Sequence, residues 1–229
     1  MTAVEIEGRL GAFSGMLIAI VALMVLTPAL SWLIPVDFPF FLILLTSVLL
    51  VAAYTLRRSR IVLLAGLLLA VPAAVAGIVF EFAPGQLALV LHLGFDAAFL
   101  IVTGLLILSA VLERDQVDMD TLLGGISIYL VIGLAFTLLY MLLELSLPGS
   151  LVNLPSESEA LSARDPERLF PPLIYFSFVT LTTVGYGGIR PVTQVAQLLA
   201  VSEAVIGQIY LVVFIARLVG LHIHQSRHD

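Results

Sequence analysis

The sequence has no cysteine, no lysine and few charges of either sign. Without cysteine there can be no disulfide, no thiolate metal site and no thiol catalysis. Only 11% of the 229 residues are charged, against roughly 25% in an ordinary soluble domain. That scarcity also excludes disorder, because a chain that fails to collapse is polar and charge-rich. All ten basic residues are arginine, the net charge is −6 and no basic stripe runs along the chain. Nucleic acid is therefore not expected as a partner. What fills the chain is apolar: 61% of it is hydrophobic, with a mean hydropathy of +1.15. No compact soluble fold of this size has interior for so much apolar surface, so the expected solvent is membrane lipid.

Charge-free windows predict six spans, each near the ~20 residues a crossing helix needs. Residues 10–36, 38–56 and 61–80 are uncharged and bounded by Asp37, by Arg57, Arg58 and Arg60, and by Glu81. The fourth window, 86–112, is broken only by Asp96, and the fifth, 121–145, holds Glu144 near its end. The sixth, about 192–221, carries Glu203 and Arg217. The leader before the first window holds Glu5 and Glu7 beside one arginine, and the window exceeds a signal peptide's ~7–15 residue core. It reads as a span and not as a cleaved leader. With six spans, one side of the membrane collects Arg9, Arg57, Arg58, Arg60, Arg114, Arg217 and Arg227. The other side holds only Arg164, Arg168 and Arg190, all in one long loop. Both termini are expected to be cytoplasmic, in a multi-pass protein of the cell membrane.

Residues 169–189 would register as a seventh span, but their chemistry argues otherwise. Pro171 and Pro172 suit a helix start, and residues 173–181 are apolar. Then Thr182-Thr183-Val184-Gly185-Tyr186-Gly187-Gly188 is too rich in glycine and hydroxyls to continue as helix. A short helix followed by extended backbone at membrane depth is a re-entrant loop, tolerated only where protein or water surrounds it. Between spans five and six, it enters from outside.

An ion leaving water needs oxygens in place of its hydration shell. In an ordinary strand, successive carbonyls alternate in direction. Gly185 and Gly187 can take left-handed φ without a Cβ penalty, which lets consecutive carbonyls of residues 182–187 turn toward one axis. Thr183 adds a hydroxyl oxygen at the inner end, while Val184 and Tyr186 are expected to face away and brace the loop. Potassium-channel selectivity filters are built from this motif, in four copies around one axis. One chain supplies a quarter of each oxygen ring, so the motif predicts a homotetramer. The short helix before it would aim its partial negative end at a cation.

Residues 122–221 resemble the pore module of the tetrameric potassium channels. The resemblance rests on Gly125-Ile126-Ser127-Ile128-Tyr129-Leu130, on Tyr175-Phe176-Ser177-Phe178-Val179-Thr180, and on the filter string. Six helices with the pore between the last two resemble the voltage-gated-like superfamily, whose first four helices are matched here in count only. The resemblance implies K⁺ binding at Thr183, Val184, Gly185 and Tyr186, within a filter of Thr182 to Gly187. It also implies a hinge at Gly207, near the middle of the sixth helix. Two departures stand out. Family filters commonly continue with aspartate, where this chain has Gly188. The fourth helix has no arginine or lysine, so steep voltage gating is not expected.

Other residues admit two readings each. Gly207 also completes a small-residue stripe with Ala196, Ala200 and Ala204, which suits close helix packing in membranes. Glu203 lies ~16 Å below the outer end of its helix and is expected to hold the back of the pore helix through a hydroxyl, or else to face the cavity. His92 and Asp96, one turn apart, read as a structural pair or a proton sensor. His222, His224 and His228 could form imidazole rings that charge on acidification, or be solvated tail; a His-x-His metal clip has little support without neighbouring ligands. Glu157, Glu159, Asp165 and Glu167 give the outer loop a mildly acidic mouth or a plain loop.

The expected fold is an all-α membrane protein of six transmembrane helices with a re-entrant pore helix and filter between helices five and six. Residues 1–112 form a four-helix sensor-like unit without gating charges, 113–120 a linker, 121–221 the pore domain and 222–229 a cytoplasmic tail. The linker is short, so each four-helix unit is expected to pack on its own subunit's pore. The expected function is passive K⁺ conduction, voltage-insensitive, with K⁺ and membrane lipid as partners and no cofactor. A weakly selective cation channel and a non-conducting scaffold or accessory subunit are the alternatives. No Ser/His/Asp grouping, metal cluster or phosphate loop supports an enzyme. With eight residues after Leu221, the expected opening stimulus acts on the membrane part itself.

Overall fold

A computed structural model of the chain describes residues 12–33, 60–83, 85–114, 118–154 and 169–225. Six helices lie among them: α1 (Ala12–Leu33), α2 (Arg60–Phe82), α3 (Gln86–Leu112), α4 (Met119–Ser146), α5 (Phe170–Leu181) and α6 (Gln194–Gln225). Two short strands, β1 (Leu151–Val152) and β2 (Arg190–Pro191), pair antiparallel with Leu151 opposite Pro191. The expected span at 38–56 and the acidic outer-loop residues 157–167 lie outside the described residues, as does part of the 113–120 linker.

The helix ends have local causes. Asp118 caps α4: its carboxylate accepts the Thr121 N–H at 2.7 Å and the Thr121 hydroxyl at 2.6 Å, filling donors that the first turn leaves orphaned. Pro171 and Pro172 occupy the first turn of α5, where no intrahelical N–H bond is lost. The Thr193 hydroxyl takes the Ala196 N–H at 3.3 Å to start α6. Residues 86–112, 119–146 and 194–221 are long and apolar enough to cross a membrane, by length and composition.

Packing centres on α4, which touches α1, α3, α5 and α6, while α2 packs on α3. Met16, Ile20 and Leu23 of α1, Leu89, Leu93 and Ile107 of α3, and Leu134, Leu138 and Tyr140 of α4 are fully or almost fully buried in one continuous core. Glycine on α4 sets how closely its neighbours approach. A Cβ at Gly133 would lie 2.6 Å from the Phe178 ring, and one at Gly125 would overlap the Phe214 ring outright. Both positions therefore accept an aromatic ring from another helix, a use of small residues common in membrane bundles.

Polar side chains stitch the two ends. At the Met119 end of α4, Asp120 accepts the Phe13 N–H at 3.0 Å, and Arg114 pairs with Asp120 at 3.1 Å. There Arg217 of α6 donates to the carbonyls of Leu112 and Arg114, placing a cation at the C-terminus of α3, where the helix dipole favours it. At the Ser146 end, the buried Glu144 accepts the N–H groups of Gly149 at 2.6 Å and Leu151 at 3.0 Å. That bend, helped by Gly149 at φ 83°, delivers β1 to β2.

Candidate functional site

Helix α5 ends at Leu181, and the next six residues leave helical geometry in a regular way. φ is positive at Thr183 (58°), Gly185 (59°) and Gly187 (78°), that is, at every second residue. Glycine reaches this region freely, but for a β-branched threonine it is a genuine outlier. Strain of this kind collects at functional sites. The segment's N–H groups turn back into the helix end: Thr182 bonds Phe178 O at 3.1 Å, Thr183 bonds Thr180 O at 2.9 Å, and Val184 and Gly185 share Val179 O at 3.0 and 3.3 Å. Those bonds satisfy carbonyls that the last turn would otherwise leave bare.

The whole segment stands open on one chain. Val184 is 51% and Tyr186 75% exposed, so the bracing expected of these two side chains does not come from the described residues of the same chain. Tyr186 edges a cleft of about 230 Å³ that Tyr175, Val179 and Ala200 also line. Beyond this segment, Asn153 donates from its side-chain amide to Gly188 O at 2.9 Å. Asn153 itself has φ 62°, a conformation asparagine tolerates better than most residues. A side chain just past β1 thus holds Gly188, the residue that follows the glycine segment.

Behind α5 lies a buried polar cluster. Glu203 of α6 is 0% exposed and reaches two other helices: the Tyr140 hydroxyl of α4 at 2.7 Å and the Ser177 hydroxyl of α5 at 2.5 Å. Ser177 also lies 2.7 Å from Gly133 O. One turn on, α6 runs unbroken through Gly207. A Cβ there would lie 2.7 Å from the Leu181 side chain and 2.9 Å from its carbonyl, so this glycine has a packing duty at the end of α5. The same carbonyl accepts the Tyr129 hydroxyl at 3.2 Å. Tyr129, Tyr210 and Phe214 stack in sequence, with centroids 6.1 and 5.7 Å apart, and the Tyr210 hydroxyl donates to Gly125 O at 2.6 Å.

Other sequence-predicted residues lie away from α5. His92 and Asp96 face each other on α3 at 3.3 Å, and His92 Nδ1 lies 2.9 Å from Ala73 O of α2. His92 joins α3 to α2 within the buried interior. Helix α6 carries positions 222 and 224, but the side chains of His222 and His224, and all of His228, lie outside the described residues. Tyr129, Tyr140, Asn153, Glu144 and Arg217 are functional or framework residues that sequence reasoning did not single out for these contacts. For all but Asn153, which lies in a loop, their common signal is a polar tip in an otherwise apolar window.

Comparison with known proteins agrees with this geometry. Residues 164–222, covering α5, the glycine segment and most of α6, match the family model described as "Ion channel". Protein LctB of Bacillus caldotenax is 33% identical over 104 residues, covering 45% of this chain and 74% of that protein. No solved structure matches the chain. Its long apolar helices and this domain make it a membrane protein. The chain belongs to the ion channel family.

Proposed function

We propose that the protein is a potassium-selective, voltage-insensitive channel conducting passively through a homotetrameric pore. The observation that carries this reading is the alternation of positive φ at Thr183, Gly185 and Gly187 on an exposed segment at the end of a short helix. With its first N–H groups occupied by α5, the segment has its carbonyls to offer, and alternating backbone handedness brings consecutive carbonyls to one side. Polar backbone at membrane depth requires protein or water around it. Four copies about one axis supply both: water and K⁺ on the carbonyl side, neighbouring subunits on the other. Thr183, Val184, Gly185 and Tyr186 then bind K⁺ within the filter of Thr182 to Gly187, Glu203 and Asn153 support it, and Gly207, where α6 is unbroken in this structure, is the place where it bends when the pore opens.

In this reading six spans cross the cell membrane with both termini cytoplasmic, and residues 170–187 form the re-entrant pore loop. Residues 1–112 act as a scaffold without gating charges, residues 113–120 link it to the pore domain at 121–221, and residues 222–229 form the tail in which His222 and His224 respond to pH. No chemistry is catalysed and no cofactor is needed. A weakly selective cation channel is the second reading, favoured by Gly188 at the mouth. K⁺ efflux from liposomes carrying the purified protein tests the proposal. Wild type should release K⁺ in a Ba²⁺-sensitive way, and Gly185→Ala should release almost none. Equal efflux from both would remove the filter assignment.

A further inference from the structure

The buried cluster behind α5 contains one short contact more than its hydroxyl hydrogens can fill. Ser177 Oγ lies 2.7 Å from Gly133 O and 2.5 Å from Glu203 Oε1. A serine hydroxyl has one hydrogen and can donate to only one of them. Sharing it between both would lengthen both contacts, yet both are short. The Tyr140 hydroxyl is already committed to Glu203 Oε2 at 2.7 Å, and the Thr137 hydroxyl to Gly133 O at 2.8 Å. Were Glu203 a carboxylate, either the serine–carbonyl or the serine–carboxylate contact would press two lone pairs together without a proton between them.

We infer that Glu203 is a neutral carboxylic acid that positions the pore helix by donating its Oε1 proton to Ser177, which passes its own hydrogen on to Gly133 O. Every short contact then has a hydrogen, and each hydroxyl has one acceptor. The chain Tyr140–Glu203–Ser177–Gly133 starts and ends on α4 and passes through α6 and α5. A single proton therefore locks three helices at one point, a turn from where Gly207 meets Leu181. The ionisable groups facing Glu203 are Tyr140 and Tyr129, both on α4; α5 faces it with the Ser177 hydroxyl. No cation meets it among the described contacts, which leaves the neutral form as the one that suits a membrane interior.

The positioning role rests on the channel reading above, since α5 matters to function only as the helix that carries the filter. The protonation does not, and it can be measured separately. An infrared difference spectrum of full-length wild type minus Glu203→Gln should contain a carboxylic-acid carbonyl band that moves in D₂O. In Ser177→Ala that band should shift to higher frequency as its acceptor is lost. Its absence, or a carboxylate signal in its place, overturns the assignment. Flux tests the positioning. Glutamine reproduces the neutral acid, donating from its amide to Ser177 and accepting from Tyr140, so Glu203→Gln should conduct like wild type. Glu203→Leu, which fills the space without the bonds, should conduct at least about tenfold less, as expected when buried hydroxyls lose their partners. Equal flux from the glutamine and leucine variants overturns the positioning role. A wild type that conducts nothing sinks the channel reading while the spectrum still decides the proton.

Discussion

Helices α4 and α6 each contain a long apolar stretch, yet they live in different surroundings. In its most apolar stretch α4 is 61% buried within one chain, whereas α6 is only 17% buried. Composition alone cannot separate them, because a membrane accepts apolar surface on any side. What separates them is detail. Helix α4 spends its small and hydroxyl residues inward: Gly125 and Gly133 seat aromatic rings, and Ser127 and Thr137 bond carbonyls one turn back at 2.8 Å. Helix α6 points Glu203, Gly207 and Tyr210 at α4 and α5, and leaves Val201, Ile209 and Val212 open at 62, 59 and 66%. One helix is finished within the subunit; the other has a second face to cover. In the tetramer proposed above, that face meets neighbouring copies and the pore.

The sharpest way to break this contrast is to charge the open face of α6. Val212→Asp should abolish the tetramer, because a carboxylate buried against a neighbouring apolar helix is a desolvated charge without a partner, at a cost of several kcal/mol per subunit. Chemical cross-linking in mild detergent reads the outcome, and an intact tetramer would place the subunit contact elsewhere. Next in size is the finished helix. Gly125→Val should lower the thermal unfolding midpoint through overpacking of about 1–3 kcal/mol against the Phe214 ring. An equal midpoint would mean that α4 and α6 separate more easily than their packing implies. Smaller still, Tyr129→Phe removes the bond to Leu181 O and should cost about 0.5–1.5 kcal/mol, with filter stability falling more than global stability.

The smallest expected effect lies outside the spans. The Thr121 hydroxyl, then the Thr121 N–H, with Arg114 adding attraction, hold the Asp118 carboxyl below the usual carboxylate range. A lowered value means the cap contributes fully above the ordinary carboxylate pKa of about 4 and is lost as pH falls through its own, lower value. Asp118→Ala should cost about 1 kcal/mol at neutral pH and nothing once the wild-type cap is protonated. The two unfolding curves should therefore converge on acidification, and a constant gap down to strong acid would show that the cap contributes little.

Much of the fold is legible because charges are rare enough to act as punctuation. The window at 86–112 coincides with α3, and the helix expected at 170–181 coincides with α5, since prolines mark its start and glycines with hydroxyls its end. Helix α6 runs on to Gln225, past the expected 221, because an interfacial tail without proline or glycine has no reason to stop. The site is legible only in part. Glycine spacing announces where φ turns positive, but the left-handed Thr183 has no signal in its side chain. A hydroxyl partner for Glu203 follows from a serine on the short helix α5, whereas Tyr140 lies 63 residues away and looks from sequence like any buried aromatic. Asn153 reaches Gly188 across 35 residues, through a pairing of strands too short to announce themselves. Bonds within an element leave a pattern in the sequence; bonds between elements leave only a residue whose polarity is unexplained.

The central claim is that carbonyls of residues 182–187 select K⁺. Reversal potentials of reconstituted channels under opposed Na⁺ and K⁺ gradients test it most directly. The account predicts a reversal close to the K⁺ equilibrium potential, changing sign when the gradients are exchanged; a reversal near zero would contradict it.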